Sequence, residues 1–564
     1  MVGLLCVVFL FGEAGNQAHT NLFDEKAYPR ASDCGNCHPD HYKEWSVSPH
    51  AYAVVSPVFN AMHKKINALT SGSNADFCIR CHTPVGMQMG ESPTASIKDR
   101  APVAREAVTC IVCHRVTESY GKVSGRQRIQ EGPLEEPIVG PTGDKELQRA
   151  LQSGDYRMTS EPGEPGRLVH QRVIQLETMS DPGFCGMCHD VNFVNGFRLE
   201  EAFSEFKTSP AARRGETCVD CHMGPNPGVA GPFPKAPAAN VNGVETQPRK
   251  RTNHMFMGPD YSVVHPAIFP HNDRAESFAK IEEWLQFDWE AGWGTDDFED
   301  EDHDEGIFPE RWKSIDDRYD ARVLIDQNLA LLEEAQRQRL EILKRGYQLG
   351  PLKVADASRL HGIQIHVNVT NGTDGHGVPT GFDAERLVFL RVEISNQDGR
   401  QVYVSGDLDS RGDLRDLHSK EVIDGHVPLD RDLFSLQSKF LTQMVRGGER
   451  EQVLAVNQSL SPLPFVRPAA TPNILTGRPS GARKHKMNIE PLGQRKAEFH
   501  LKGPLNPGRY DISVSLISGM VPVNLVYEIE DAGFDYGLSA HELARRVVKG
   551  HSLLWQVHES VVVP

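Results

Sequence analysis

One five-residue phrase, Cys-x-x-Cys-His, recurs five times and constrains this chain more than any other feature: Cys34-Gly35-Asn36-Cys37-His38, Cys78-Ile79-Arg80-Cys81-His82, Cys110-Ile111-Val112-Cys113-His114, Cys185-Gly186-Met187-Cys188-His189 and Cys218-Val219-Asp220-Cys221-His222. The copies use ten of the eleven cysteines. The phrase is the signature of covalent haem attachment: two thiols add to the vinyl groups and the adjoining imidazole reaches the iron. A zinc site or a disulfide framework gives no reason for histidine in every copy. Five covalent haems c are therefore expected, with Cys34, Cys37, Cys78, Cys81, Cys110, Cys113, Cys185, Cys188, Cys218 and Cys221 as attachment points. His38, His82, His114, His189 and His222 are the expected proximal ligands.

At 564 residues the chain has room for about three or four domains. Its net charge of -16 argues against nucleic acid as a partner. Haem propionates add to that charge, so a redox protein with a basic docking surface is the complementary partner. The apolar run Val2-Gly3-Leu4-Leu5-Cys6-Val7-Val8-Phe9-Leu10-Phe11 is too short to span a bilayer and reads as the core of a signal peptide, with Ala14, Gly15 and Ala18 offering cleavage sites. Leu5 before Cys6 speaks against a lipoprotein anchor. Export to the periplasm or the cell exterior is the expectation, and no later stretch reads as a transmembrane segment.

Residues 21–275 read as the haem-bearing domain, rich in Gly and Pro and short of regular elements. Two stretches in it repeat each other: Tyr42-x-Glu44-Trp45-x-x-Ser48-Pro49-His50-Ala51 and Phe203-x-Glu205-Phe206-x-x-Ser209-Pro210-Ala211-Ala212. His50 aligns with Ala211, so only the first copy offers an imidazole. In residues 223–250, Pro225, Pro227, Pro232, Pro234 and Pro237 exclude regular helix or sheet, leaving either an ordered cover over a haem or a linker. His254, His265 and His271 follow the last motif closely and are candidates for the distal side of an iron.

Residues 276–350 change character. Ala275 to Phe287 reads as helical, and Tyr319 to Gly346 as a long amphipathic helix. The acidic run 296–305 between them reads as a solvated loop, as such charge blocks usually are, with a calcium site or a docking surface for a basic partner as the alternatives, though it lacks the spacing of an EF-hand. From about 355 to 530 apolar residues alternate: Ile363, Ile365, Val367, Val369; Val388, Leu390, Val392, Ile394; Tyr510, Ile512, Val514, Leu516; and Val521, Val523, Leu525, Tyr527, Ile529. Such runs predict antiparallel strands and a sandwich. Within them Gly375-His376-Gly377-Val378-Pro379-Thr380-Gly381 flanks one imidazole with rigid turns, and His376 is expected to reach an iron in the preceding domain.

The motif array, the phrase at 42–50, the Cys185–Val191 segment and the 375–381 loop together resemble the multihaem c-type cytochromes related to the tetrahaem cytochrome of ammonia oxidisers and to octahaem hydroxylamine oxidoreductase. The likeness covers residues 30 to about 275 and the 376 loop. It implies that most haems are bis-histidine electron carriers, that His50, His254 and His376 are distal ligands, and that His170 occupies another such place. After the five proximal residues, nineteen of the 24 histidines remain, so supply does not limit such pairing. One of His265 or His271 completes the candidate set, and His63 is a weaker option. Arg80, Arg115, Lys122, Arg126 and Arg128 lie near haem motifs as possible propionate partners.

The fold expectation is α+β: residues 1–18 a signal peptide, 21–275 a mainly helical and irregular pentahaem cytochrome c domain, 276–350 a helical segment with an acidic loop, 351–535 a β-sandwich-like domain that supplies a haem ligand, and 536–564 a C-terminal helix and tail. The expected function is electron transfer between redox partners, alone or within a larger complex or polymer. The alternative is an oxidoreductase acting on a small nitrogen or sulfur compound at one five-coordinate haem. No CxxCK variant or acid–base cluster beside a motif supports that alternative.

Overall fold

The structure, a computed structural model, describes residues 28–119, 124–125, 127–193, 197–443, 448–455 and 482–564. The signal-peptide reading of residues 1–18, with Cys6, falls outside them. The chain mixes helix and sheet, and no helix among the described residues is long and apolar enough to cross a membrane.

Up to residue 275 the elements are short, and proline sets where they begin. Pro39–Ser46 (α1), Pro49–Tyr52 (α2) and Pro57–Leu69 (α3) each open on proline, and Ser48 and Ser56 cap α2 and α3 by accepting from the amides of Ala51 and Phe59. Serine at the cap and proline at the first helical position satisfy or delete the amides a helix start leaves unpaired. The second copy repeats the device. After Ala202–Thr208 (α4), Ser209 caps Pro210–Arg213 (α5) through the Ala212 amide. The duplicated Ser-Pro is thus a helix-start signal, and Trp45 and Phe206 ahead of it are both buried. Residues 223–250 are more regular than their prolines suggest: Lys235–Ala236 pairs with Arg249–Lys250, and Asn240–Val241 with Val244–Glu245, in the gaps between prolines.

The expected helix at Ala275–Phe287 is divided into Asp273–Phe278 and Ile281–Trp284, whereas Ile315–Gly346 (α6) is a single helix capped by Ser314. Trp284, Trp293, Trp312, Phe287 and Phe308 build a core against Ala321, Leu324 and Ile325 of α6. Most acidic residues of the run are exposed, as expected of a solvated loop, and Glu299 anchors it to that core. Thr295 caps the turn Asp296–Glu299, and Glu299 makes a buried ion pair with Arg318 of α6, Nε to Oε1 2.8 Å.

After α6 the strands are Tyr347–Leu349 (β1), Lys353–Ser358 (β2), Gly362–Asn371 (β3), Leu387–Asn396 (β4), Gln401–Ser405 (β5), Lys439–Gln443 (β6), Glu449–Gln452 (β7), Ala482–His485 (β8), Gln494–Leu501 (β9), Gly508–Gly519 (β10) and Ser552–Val563 (β11). In one sheet β3 pairs with β1, β2 and β9; a second has the order β5-β4-β10-β11 and a third β7-β6-β8, every pairing antiparallel. The alternating residues of β3, β4 and β10 point into one apolar core shared by the first two sheets. Two expectations change here. Residues 523–528 form a helix, Val523–Glu528 (α7), not a strand. Val523, Val526 and Ile529 recur at helical spacing as well as lying in an apolar run, and they pack against Leu543, Ala544 and Val547 of Ala540–Lys549 (α8). The C-terminal tail is strand β11, paired along β10 for most of its length.

Candidate functional site

A backbone carbonyl orients most of the proximal imidazoles. His38 Nδ1 lies 2.6 Å from the Ala238 carbonyl, His82 Nδ1 2.9 Å from that of Ala53, and His114 Nδ1 3.0 Å from that of Val139. His222 is hydrogen-bonded to the backbone of Met257. An Nδ1–H that donates to a carbonyl leaves Nε2 with its lone pair, the second-sphere arrangement usual for metal-binding histidine. The contact from Ala238 also shows the 223–250 excursion lying on the first motif, where Asn240 N donates to Cys37 O at 2.8 Å. Burial holds His38, His82, His114 and His189 below the ordinary imidazole range. Burial, aided by His376, takes His222 to about 4.

The ten motif cysteines are half-buried and none is in a disulfide. Thiols of different motifs meet: Cys34 is in hydrogen-bonding contact with Cys110, Cys81 with Cys188, and Cys185 with Cys218. Burial and the neighbouring Cys188 push the Cys113 thiol up to about 12, which ties the third motif to the fourth.

Two pairs of imidazoles face each other at a telling distance. His222 and His376 have ring centroids 6.2 Å apart and planes inclined by 14°; His50 and His189 are 6.1 Å apart with planes inclined by 41°. A metal ion bound by two imidazole nitrogens at about 2 Å each, with the ring radii added, separates the centroids by roughly 6 Å. The donor set therefore fits an iron held between each pair. Burial lowers His50 to about 3, with His189 as the nearest charge influence, so its lone pair is available at neutral pH. His254 and His170 are likewise lowered by burial, to about 3 and about 4; the imidazole that acts most strongly on His254 is His114, and on His170 it is His38. Ring geometry thus sets a second imidazole opposite two motif histidines, His189 and His222, while His254, His170 and His63 each feel a motif imidazole, His114, His38 and His82 in turn, as their strongest imidazole influence.

The other candidates are used differently. His265 spends both ring nitrogens inside the fold, Nε2 on the Phe287 carbonyl at 3.0 Å and Nδ1 accepting from Ala267 N at 3.1 Å. His271 stacks on Trp45 at 5.3 Å, with Nε2 on the Ala51 carbonyl at 3.0 Å and Nδ1 3.7 Å from Glu276. Among the described residues no ring contact joins His82 to another imidazole. Phe59 of α3 lies flat against it instead, centroids 3.8 Å apart and planes at 4°. His63, one turn further along α3, is buried with Nε2 on the Ala75 carbonyl. Arg80 is tied to Asp76 at 2.8 Å and Arg115 to the Gly132 and Pro133 carbonyls, while Lys122 and Arg126 fall outside the described residues.

Sequence reasoning passed over His41, which sits between two other imidazoles, 5.9 Å from His38 and 4.8 Å from His254. The signal was its place three residues after a motif histidine, on the same face of α1. At 4.8 Å there is no room for a metal between His41 and His254, and His41, three residues after His38, is too close to it in the chain to reach the opposite face of the same haem. His41 is therefore a packing neighbour of His254.

Residues 33–115 match the model of a family described as cytochrome c554 and c-prime. That segment contains three of the five motifs. A penta-heme cytochrome c552 from Thermochromatium tepidum is similar to the chain at 14% identity with a TM-score of 0.48, covering 95% of this chain and 99% of that one. No curated protein matches the chain. The family match and the motif array support a multihaem c-type cytochrome that binds haem c covalently and transfers electrons.

Proposed function

We propose that the chain is an exported pentahaem electron carrier of the group related to the tetrahaem cytochrome of ammonia oxidisers, with one haem on each motif and histidine pairs holding four of the irons. The pairs are His38 with His170, His114 with His254, His189 with His50, and His222 with His376. One observation carries the reading: cysteines of different motifs are neighbours, so that motif one adjoins three, three adjoins four, and four adjoins both two and five. All five attachment points form one connected set, with no motif set apart as an isolated centre.

Bound haem supplies a one-electron couple. The chain's own residues do the rest: the thiols tether, the carbonyl-oriented imidazoles fix both axial positions, and the surrounding burial excludes water. Two neutral imidazoles favour low-spin iron at low potential. The net charge of -16 points to a partner with a basic docking surface, in a transient encounter or a larger assembly. In a potentiometric titration the holoprotein takes up five electrons per chain, and its mass exceeds that of the polypeptide by five haems. Fewer than five by either measurement contradicts this assignment.

A second reading rests on His82. Among the described residues no imidazole ring is in contact with His82, whose flat face packs on Phe59, and Glu200 acts on both Cys78 and Cys81 of the same motif. Burial raises the Glu200 carboxyl to about 7, while Arg386, ion-paired with Asp260, draws it down. A carboxyl poised near neutrality beside an iron with one open face suits proton delivery to a small nitrogen or sulfur compound. Carbon monoxide binding at this one site supports the reading; its absence removes it.

A further inference from the structure

The two copies of the internal repeat share a glutamate, and the structure gives both copies the same task. Glu44 lies on α1, and its Oε2 accepts from the backbone N–H of His254 at 3.0 Å while Oε1 accepts from Arg251 at 2.7 Å. Glu205 lies on α4, and its Oε2 accepts from the backbone N–H of Gly377 at 3.1 Å and from Thr380 Oγ1 at 2.7 Å. Its other oxygen accepts from Asn488 Nδ2 and Lys486 Nζ, both at 2.9 Å. Each carboxylate thus reaches out of its own repeat to a distant loop and takes the amide of an imidazole-bearing residue or of the residue next to it.

We propose that Glu44 and Glu205 are positioning residues, each holding the loop that presents a distal imidazole, His254 and His376 respectively. The proposal rests on the reading of those two histidines as axial ligands. Neither loop lies in a helix or an extended strand, and although Val378 bridges to Ile489, the amides of His254 and Gly377 need partners from elsewhere. A carboxylate that accepts a backbone N–H makes a charge-assisted bond, roughly twice as strong as a neutral one. At His376 the grip is two-sided. The carbonyl of the His376–Gly377 peptide accepts from Asn371 Nδ2 at 2.9 Å, the N–H of the same peptide goes to Glu205, and His376 Nδ1 sits 2.9 Å from the Gly377 carbonyl. Glycine is needed there for proximity: a Cβ on Gly377 would fall 2.5 Å from Asn488 Nδ2 and 3.1 Å from Glu205 Oε2. At His254 the ring is set by its own loop, Nδ1 on the Thr252 carbonyl at 3.1 Å, with the backbone held by Glu44.

The repeat also explains why two different loops are recruited. In the first copy the residue after Ser-Pro is His50, which faces His189. In the second it is Ala211, whose N–H donates to the Asp374 carbonyl at 3.3 Å, beside the loop that brings His376. The helix of the second copy supplies no imidazole, and its glutamate holds the loop that does.

The test uses the full-length holoprotein carrying Glu205→Ala, Glu205→Gln, Glu44→Ala or His376→Ala, read by electron paramagnetic resonance and by carbon monoxide binding per chain. His376→Ala opens one haem completely. Glu205→Ala shifts the ligation equilibrium of that same haem by roughly tenfold toward the open form, the scale of a lost hydrogen bond to a charged acceptor. Glu205→Gln, which keeps an oxygen acceptor, restores most of the low-spin signal, and Glu44→Ala opens a different haem, adding to the first in the double variant. Spectra of Glu205→Ala and Glu44→Ala that match wild type, while His376→Ala opens a haem, overturn the positioning role. An unchanged spectrum for His376→Ala overturns the ligand reading beneath it instead. Where Glu205→Ala does not mature, Glu44→Ala decides the matter by the same readout.

Discussion

Replacing His376 with alanine converts one haem in five to a high-spin form that binds carbon monoxide and leaves the other four unchanged. The expectation follows from the spacing of His222 and His376, 6.2 Å between centroids with nearly parallel planes, which is that of two imidazoles sharing one iron. Among the described residues no other imidazole ring is in contact with His222, so nothing stands ready to replace the lost ligand. The midpoint potential of that haem rises by on the order of 0.1 V, a fraction of the roughly 0.8 V that axial ligands command across haem proteins. The folded state is expected to persist, because the loop keeps its bonds to Asn371 and Glu205 through backbone atoms. Imidazole added to the buffer refills the vacancy and restores the low-spin spectrum.

Lys484→Met is the change expected to cost most stability. Lys484, at the third position of β8, places Nζ 2.8 Å from Asp383, 3.0 Å from Glu201 and 3.2 Å from the Leu199 carbonyl. The Lys484 and Asp383 side chains are only 6% and 2% exposed. Removing the ammonium leaves Asp383 buried without its cation, a loss of about 3–5 kcal/mol. Burial pushes the Glu201 carboxyl up, but Lys484 and Lys486 outweigh it and hold Glu201 below the usual carboxylate range. A depressed carboxyl contributes stability above its unfolded pKa and loses it as pH falls through the folded value. Thermal melts of wild type and variant therefore differ most near neutrality and converge in acid. Melting curves that coincide at neutral pH contradict the account of this contact. The bond joins the strand region to Leu199 and Glu201 at the start of α4, so the variant is also expected to loosen the His376 loop.

The attachment chemistry was legible from the sequence because it is local: five residues hold both thiols and one imidazole, and no tertiary contact is needed to recognise them. The same is true of the alternating strands β3, β4 and β10. The choice among distal candidates was not local. His254, His265 and His271 look alike as residues after the last motif, yet His265 and His271 find carbonyls at Phe287 and Ala51, while the imidazole acting most strongly on His254 is the motif residue His114. Residues 521–529 alternate as well as any strand, and the helix of α7 wins because its face packs on α8, a partner that periodicity does not reveal. The C-terminal strand β11 was missed for the opposite reason. Its outward residues include Trp555 and Val562, which blur the alternation that its pairing with β10 creates.

The most direct test of the whole account is the spin state of the oxidised holoprotein, by electron paramagnetic resonance together with the optical spectrum before and after carbon monoxide. Four imidazole pairs predict at least four low-spin haems in every five, with any high-spin, carbon-monoxide-binding fraction limited to the one haem on His82. A high-spin fraction of two haems in five or more contradicts the pairing of His170, His254, His50 and His376 with their motifs, and with it the assignment of this chain as a carrier.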